Sequence, residues 1–96
     1  MKNNFTEFLP FNNDQKAIKV LFQSNAKVIG LAFKEKQVLE RHTTNTPAFL
    51  FVISGSIDFL IDNKTYTLKD SDFLEIPAMV EHEVRANMDS RLLLVK

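Results

Sequence analysis

Residues 41–55, RHTTNTPAFLFVISG, decide how this chain is read. The stretch begins beside His42, one of two histidines, and passes through a polar turn ending at Pro47. It then runs into residues 48–54, AFLFVIS, apolar in all but the last position, and stops at Gly55, one of two glycines. An apolar run without polar alternation marks a strand buried on both faces. A polar entry leading into such a strand is a common way to build a ligand pocket in a β-barrel. Side chains alternate across a strand, so Ala48, Leu50 and Val52 share one side while Phe49 and Phe51 share the other. One set has to fill the barrel. The other needs cover from the opposite sheet, the N-terminal arm or a second subunit.

On either side of this stretch the chain reads as short strands divided by turns. AIKVLFQ at 17–23 places Ile18, Val20 and Phe22 on one face, and AKVIGLAF at 26–33 follows the turn Ser24-Asn25. Residues 13–22 also fit a helical stripe through Ala17, Ile18, Leu21 and Phe22. Gly30 inside a strand suggests a bulge or a close backbone approach. Val38–Thr43 is a short strand with Val38, Glu40 and His42 pointing the same way. Downstream, Ile57, Phe59 and Ile61 alternate with polar neighbours up to a hairpin turn at Asp62-Asn63-Lys64, and the chain returns through Thr65–Leu68. Phe73–Ile76, VEHEVRA at 80–86 and Leu92–Val95 complete the set. About eight short strands in so short a chain imply an all-β sandwich or barrel of antiparallel strands. Residues 1–15, carrying Phe5, Phe8 and Phe11 among polar neighbours, read as an arm that docks on the barrel or on a partner subunit. Residues 16–96 form the domain.

Composition narrows the function classes. The 96 residues suit one domain with a modest core, and such domains are often helped by pairing. Lys plus Arg and Asp plus Glu are 12 each, so the basic excess that neutralises nucleic-acid phosphates is missing. With no cysteine there are no disulfides, thiolate metal sites or cysteine nucleophiles. No apolar run approaches the length of a membrane span, and residues 1–13 lack a leader-like apolar core. The expectation is a soluble cytoplasmic protein with neither nucleic acid nor membrane as partner. No serine sits in a nucleophile elbow, and two glycines are too few for a phosphate-cradling loop.

The order His42, Gly55, the turn Ser71-Asp72 and IPAMVEH at 76–82, followed by a closing strand, resembles the small single-domain cupins (RmlC-like jelly-roll barrels) over about residues 28–96. The family's first motif runs from a glycine through His-x-His and a glutamate to a second glycine. Its second motif is a glycine-aspartate turn followed by Pro-x-Gly-x-x-His. The resemblance implies a jelly-roll barrel with two motif strands joined by the 57–68 hairpin, and pairing through the sheets. It also implies a metal held by three histidines and a glutamate. Here the second histidine position is Thr44 and the glutamate position is Ala48, while Lys36, Ser71 and Met79 stand where glycines are expected.

Of the family's ligand positions, then, only His42 and His82 keep a metal-binding side chain. Catalytic zinc normally has three protein ligands, and iron of this type two histidines and a carboxylate, so two imidazoles hold a divalent ion weakly. Glu40 shares the side of His42 but lies ~7 Å along the strand. Glu81, Glu83 and Arg85 read as a solvated face. The first expectation is a dimeric cupin that binds a small molecule without a strong catalytic metal, its pocket lined by His42, Thr44, Ala48, Leu50 and His82. A second is a metal-dependent dioxygenase or isomerase using His42, His82 and weakly held Zn, Fe, Mn or Ni. A third is a structural or sensory dimer whose barrel is filled by side chains. The residues leave open whether any reaction is catalysed.

Overall fold

β-Branched and aromatic runs separated by short polar turns give nine β-strands and one helical turn among the described residues, 2–96, of the computed structural model. The order is α1 (Phe5–Phe8), β1 (Ala17–Gln23), β2 (Lys27–Phe33), β3 (Val38–His42), β4 (Ala48–Ser54), β5 (Ser56–Ile61), β6 (Lys64–Lys69), β7 (Phe73–Ile76), β8 (His82–Ala86) and β9 (Ser90–Val95). Five strands, β1-β2-β9-β4-β7, make one sheet and four, β3-β8-β5-β6, the other. All pairings are antiparallel. The two sheets pack as a jelly-roll sandwich, the all-β fold expected from the spacing of strands and turns. No helix among the described residues is long and apolar enough to cross a membrane.

β4 shows how the core is divided. Ala48, Leu50 and Val52 are at most 3% exposed and meet Leu31, Phe33, Ile57, Phe59 and Leu92 between the sheets. The alternate set faces outward, and Phe49 remains 39% exposed. Helical periodicity at 13–22 loses to strand pairing, since β1 joins β2 from Ala17↔Ala32 onward. One expected face is corrected: the register slips between Val20 and Phe22. Ile18 and Val20 pair with Leu31 and Ile29 on the inner face, while Phe22 pairs with Val28 on the outer one. The strand expected from Val80 begins only at His82.

The arm packs on its own barrel. Asn4 caps the helical turn by accepting from the Glu7 N–H at 3.2 Å, and Leu9 is 2% exposed. Gly30 makes this possible. A Cβ there would stand 2.9 Å from the Phe5 ring and 3.1 Å from both Leu9 and Leu21, so the strand glycine marks a close approach. Phe11 lies under the Arg91 guanidinium at 4.3 Å. Met1, the first residue of the expected arm, lies outside the described residues.

The positions where the family carries glycine keep the glycine conformation without the glycine. Lys36, Ser71 and Met79 have φ of 75°, 71° and 67°. Each holds a side chain in the left-handed region at a cost of about 1–2 kcal/mol. Gly55 is the reverse case, with φ 110° and a virtual Cβ 2.6 Å from the Asp89 carbonyl and 2.7 Å from Ser90 Cα. We expect Ser71→Gly to raise stability by about 0.5–1 kcal/mol in urea denaturation. Gly55→Ala should lower it by on the order of 3 kcal/mol. Equal effects of the two changes would contradict this account of the backbone.

Candidate functional site at the histidine end of the barrel

One extra residue in β3 aims the first histidine. Leu39 pairs with Val84 and His42 with His82, so Glu40 and Arg41 together oppose Glu83. This bulge reverses the alternation and brings His42 onto the inner face of Leu39. It also corrects the expected shared face of Val38, Glu40 and His42. Glu40 turns outward to meet Lys16 at 3.2 Å. A backbone hydrogen bond, together with that ion pair, holds its carboxyl below the usual carboxylate range. Glu40 is therefore not available to a site beside His42.

The two imidazoles meet across the β3–β8 pair. Their ring centroids are 4.4 Å apart at 60°, and Phe59 stacks on His82 at 5.6 Å. His82 Nδ1–H donates to the Val80 carbonyl at 3.0 Å, and His42 Nδ1–H donates to the Glu40 carbonyl at 2.8 Å. A carbonyl only accepts, so each neutral ring carries its proton on Nδ1 and leaves Nε2 as an acceptor. His82 is 3% exposed. Burial pushes its pKa below the ordinary histidine value of 6.5, and the neighbouring His42 pushes the same way.

His42, Thr44, Ala48, Leu50 and His82 all border one cavity, together with apolar residues such as Leu39. Its volume is about 10 Å³, close to the smallest space that holds one water. The loop between β7 and β8 closes this end, where the Met79 N–H donates to the Thr44 carbonyl at 2.8 Å. The Thr44 hydroxyl donates to the Thr46 carbonyl at 2.9 Å. Two imidazoles and a committed hydroxyl do not make a three-ligand metal centre, and no group of three or more His, Cys, Asp or Glu among the described residues could hold an ion. The donor set does not fit the family's metal.

Glu83 departs from the solvated face expected of it. It is 8% exposed, opposite the bulge, and accepts from Arg85 Nε, with Arg41 at 3.9 Å. Its place opposite the bulge, rather than any pattern in VEHEVRA, decides this burial.

A jelly-roll barrel with inward histidines on neighbouring strands defines a cupin-type barrel. The chain belongs to this family: the description of the Cupin domain matches residues 31–95. Among solved structures, a conserved protein of unknown function from Streptococcus pyogenes superposes with TM-score 0.87 at 23% identity, covering 99% of this chain and 84% of that one. An RmlC-like cupin protein from Desulfovibrio desulfuricans gives 0.87 at 24%, covering 99% and 93%. TT1209 from Thermus thermophilus gives 0.86 at 18%, covering 98% and 93%. These likenesses concern the fold. No curated protein matches the chain.

The buried histidine predicts a pH dependence. Below about pH 6.5 the unfolded chain protonates His82 while the fold resists, so the unfolded state binds more protons. Stability is therefore fully present above that pH and lost as pH falls below it. Urea midpoints measured between pH 8 and pH 5 should fall toward acid, and His82→Leu should flatten that fall. A midpoint that rises toward acid would contradict the buried neutral ring.

Proposed function

We propose that this chain is a binding cupin, a paired barrel that receives a small molecule at its histidine end and carries out no metal-dependent reaction. The observation that carries this reading is the pair of Nδ1–H bonds to backbone carbonyls, which leaves Nε2 as the acceptor on each of two rings that border one cavity. Acceptors fixed in an apolar surround select a guest that brings a hydrogen-bond donor, because an unpaired buried acceptor is costly. Ala48, where the family has its glutamate, leaves the cavity uncharged. The metalloenzyme reading has less support, since it lacks a third donor. At about 10 Å³ the cavity admits such a guest only if its lining moves, and this small volume favours a second reading, a closed structural barrel with no guest but water.

Phenol, a neutral body with one O–H donor, separates these readings. We expect its titration to shift the imidazole ¹⁵N resonances of His42 and His82 saturably at about millimolar concentration. Stoichiometric zinc should leave most sites free. Imidazole shifts absent throughout would favour the closed barrel, and tight zinc binding would favour the metalloenzyme.

The second copy is proposed from the outer face of the five-stranded sheet. Phe49 and Phe73 are 39% and 63% exposed, with centroids 5.3 Å apart, and Phe51 stacks beside Phe73 at 6.5 Å. An apolar patch of this kind is complementary to itself about a two-fold axis. Burying each phenylalanine contributes about 1.5–3 kcal/mol. Sedimentation equilibrium should give a dimer at about 100 µM, and Phe49→Glu with Phe73→Glu a monomer. A monomeric parent protein at that concentration would refute the pairing.

A further inference from the structure

The cavity at the two histidines is no larger than one water, so a bigger guest needs room beyond it. That room lies along the open seam of the sandwich. β6 and β7 are the edge strands of the two sheets and do not pair with each other. The cleft between them is about 480 Å³, inside the range of small-molecule sites, roughly 300–1,000 Å³. Register gives its walls. Tyr66 and Leu68 pair with buried Phe59 and Ile57, and Leu74 pairs with buried Leu50. Cross-strand partners share a face, so all three look inward, while Glu75 pairs with Phe49 and turns out. Charge enters at the exposed hairpin end, with Asp62 and Lys64.

Two features separate this cleft from the histidine cavity. One is Phe59, which lines the cleft and lies against the His82 ring with centroids 5.6 Å apart. The other is the loop 77–81 between β7 and β8. Its Pro77 and Val80 line the cleft, while Ile76 and His82, the residues just before and after it, line the cavity. The loop is lightly held. The backbone bond that ties it across the barrel end is the Met79 N–H on the Thr44 carbonyl, 2.8 Å. Met79 itself sits at φ 67° with its side chain 68% exposed, so a strained residue is left without packing to hold it. Such a segment opens locally at low cost. The far end is firmer, because the Val80 carbonyl accepts the His82 Nδ1 proton at 3.0 Å.

We infer that residues 77–79 are a lid, hinged at Val80, whose opening joins the cavity to the cleft to make one binding site. The site takes an elongated neutral molecule with a hydrogen-bond donor at one end and an apolar body. The donor meets the Nε2 acceptors of His42 and His82, which stay in place because Val80 keeps hold of the His82 proton. The body lies along Phe59, Leu68 and Leu74, with Tyr66 at the outer wall. A donor alone would leave the apolar walls wet, and an apolar body alone would leave two buried acceptors unpaired. This rests on the histidine-end reading and adds to it the way in and the shape of the guest.

The test is an NMR titration of the full chain with phenol, 4-propylphenol and propylbenzene in parallel. Imidazole ¹⁵N resonances report the histidines, and the amides of Tyr66, Leu68 and Leu74 report the cleft. 4-Propylphenol is expected to shift both sets and to bind at least about tenfold more tightly than either phenol or propylbenzene. Leu74→Trp, which fills the cleft, should erase most of its gain over phenol, and so should Tyr66→Ala, at a position 45% exposed. The amide spectra of both variants verify that they are folded. Native-state hydrogen exchange should show the Met79 amide opening at least about 100-fold more often than that of Leu92 in central β9. Histidine shifts with no gain from the propyl group would overturn the joined site and leave the histidine-end reading standing. Cleft shifts with unmoved imidazoles, or no saturable shift with any probe, would overturn both. Equal protection of Met79 and Leu92 would overturn the lid.

Discussion

The period-two alternation of β4 is the constraint on which the rest of the molecule depends. A strand with apolar residues on both sides cannot leave either side wet in a domain this small. Its inner set meets Leu31, Phe33 and Leu92 and fills the barrel almost completely. Its outer set, with Phe73 from β7, forms an aromatic surface that the arm does not cover. The same arithmetic therefore produces a closed core, a small cavity at the histidine end and an apolar face suited to a second copy.

Within that frame, two irregularities in the strands place the polar groups. The extra residue in β3 turns His42 inward and Glu40 outward, and it brings Glu83 into a nearly buried position beside two arginines. The slip in β1 sends Phe22 to the outer face, away from Ile18 and Val20. A site made of two neutral imidazoles with their Nδ1 protons held by carbonyls is a recognition element. It supplies acceptors, whereas a divalent ion at a catalytic centre asks for a third ligand.

The fold was legible because its signals are local. Apolar alternation, the Asp62-Asn63 turn and the order of motif residues each depend on neighbours in sequence. Even the vacated glycine positions were informative, since Lys36, Ser71 and Met79 retain the backbone that glycine usually supplies. All five candidate pocket residues border one cavity. What alternation alone cannot supply is a bulge. Counting by twos from Val38 places Glu40 with His42 and leaves Glu83 in solvent, and both errors follow from one inserted residue. Volume was equally hidden. Leucine, valine and phenylalanine from five strands close around Ala48 and the two histidines and leave about 10 Å³.

The central claim is that the two histidines act as hydrogen-bond acceptors and not as ligands of a catalytic metal. The most direct measurement is a crystal structure of tag-free protein with anomalous data collected at the zinc and iron edges. The account predicts a water-sized peak within hydrogen-bonding distance of both Nε2 atoms, about 2.8–3.0 Å, and no anomalous signal there. An anomalous peak about 2.1 Å from both nitrogens, with a third protein ligand, would contradict it.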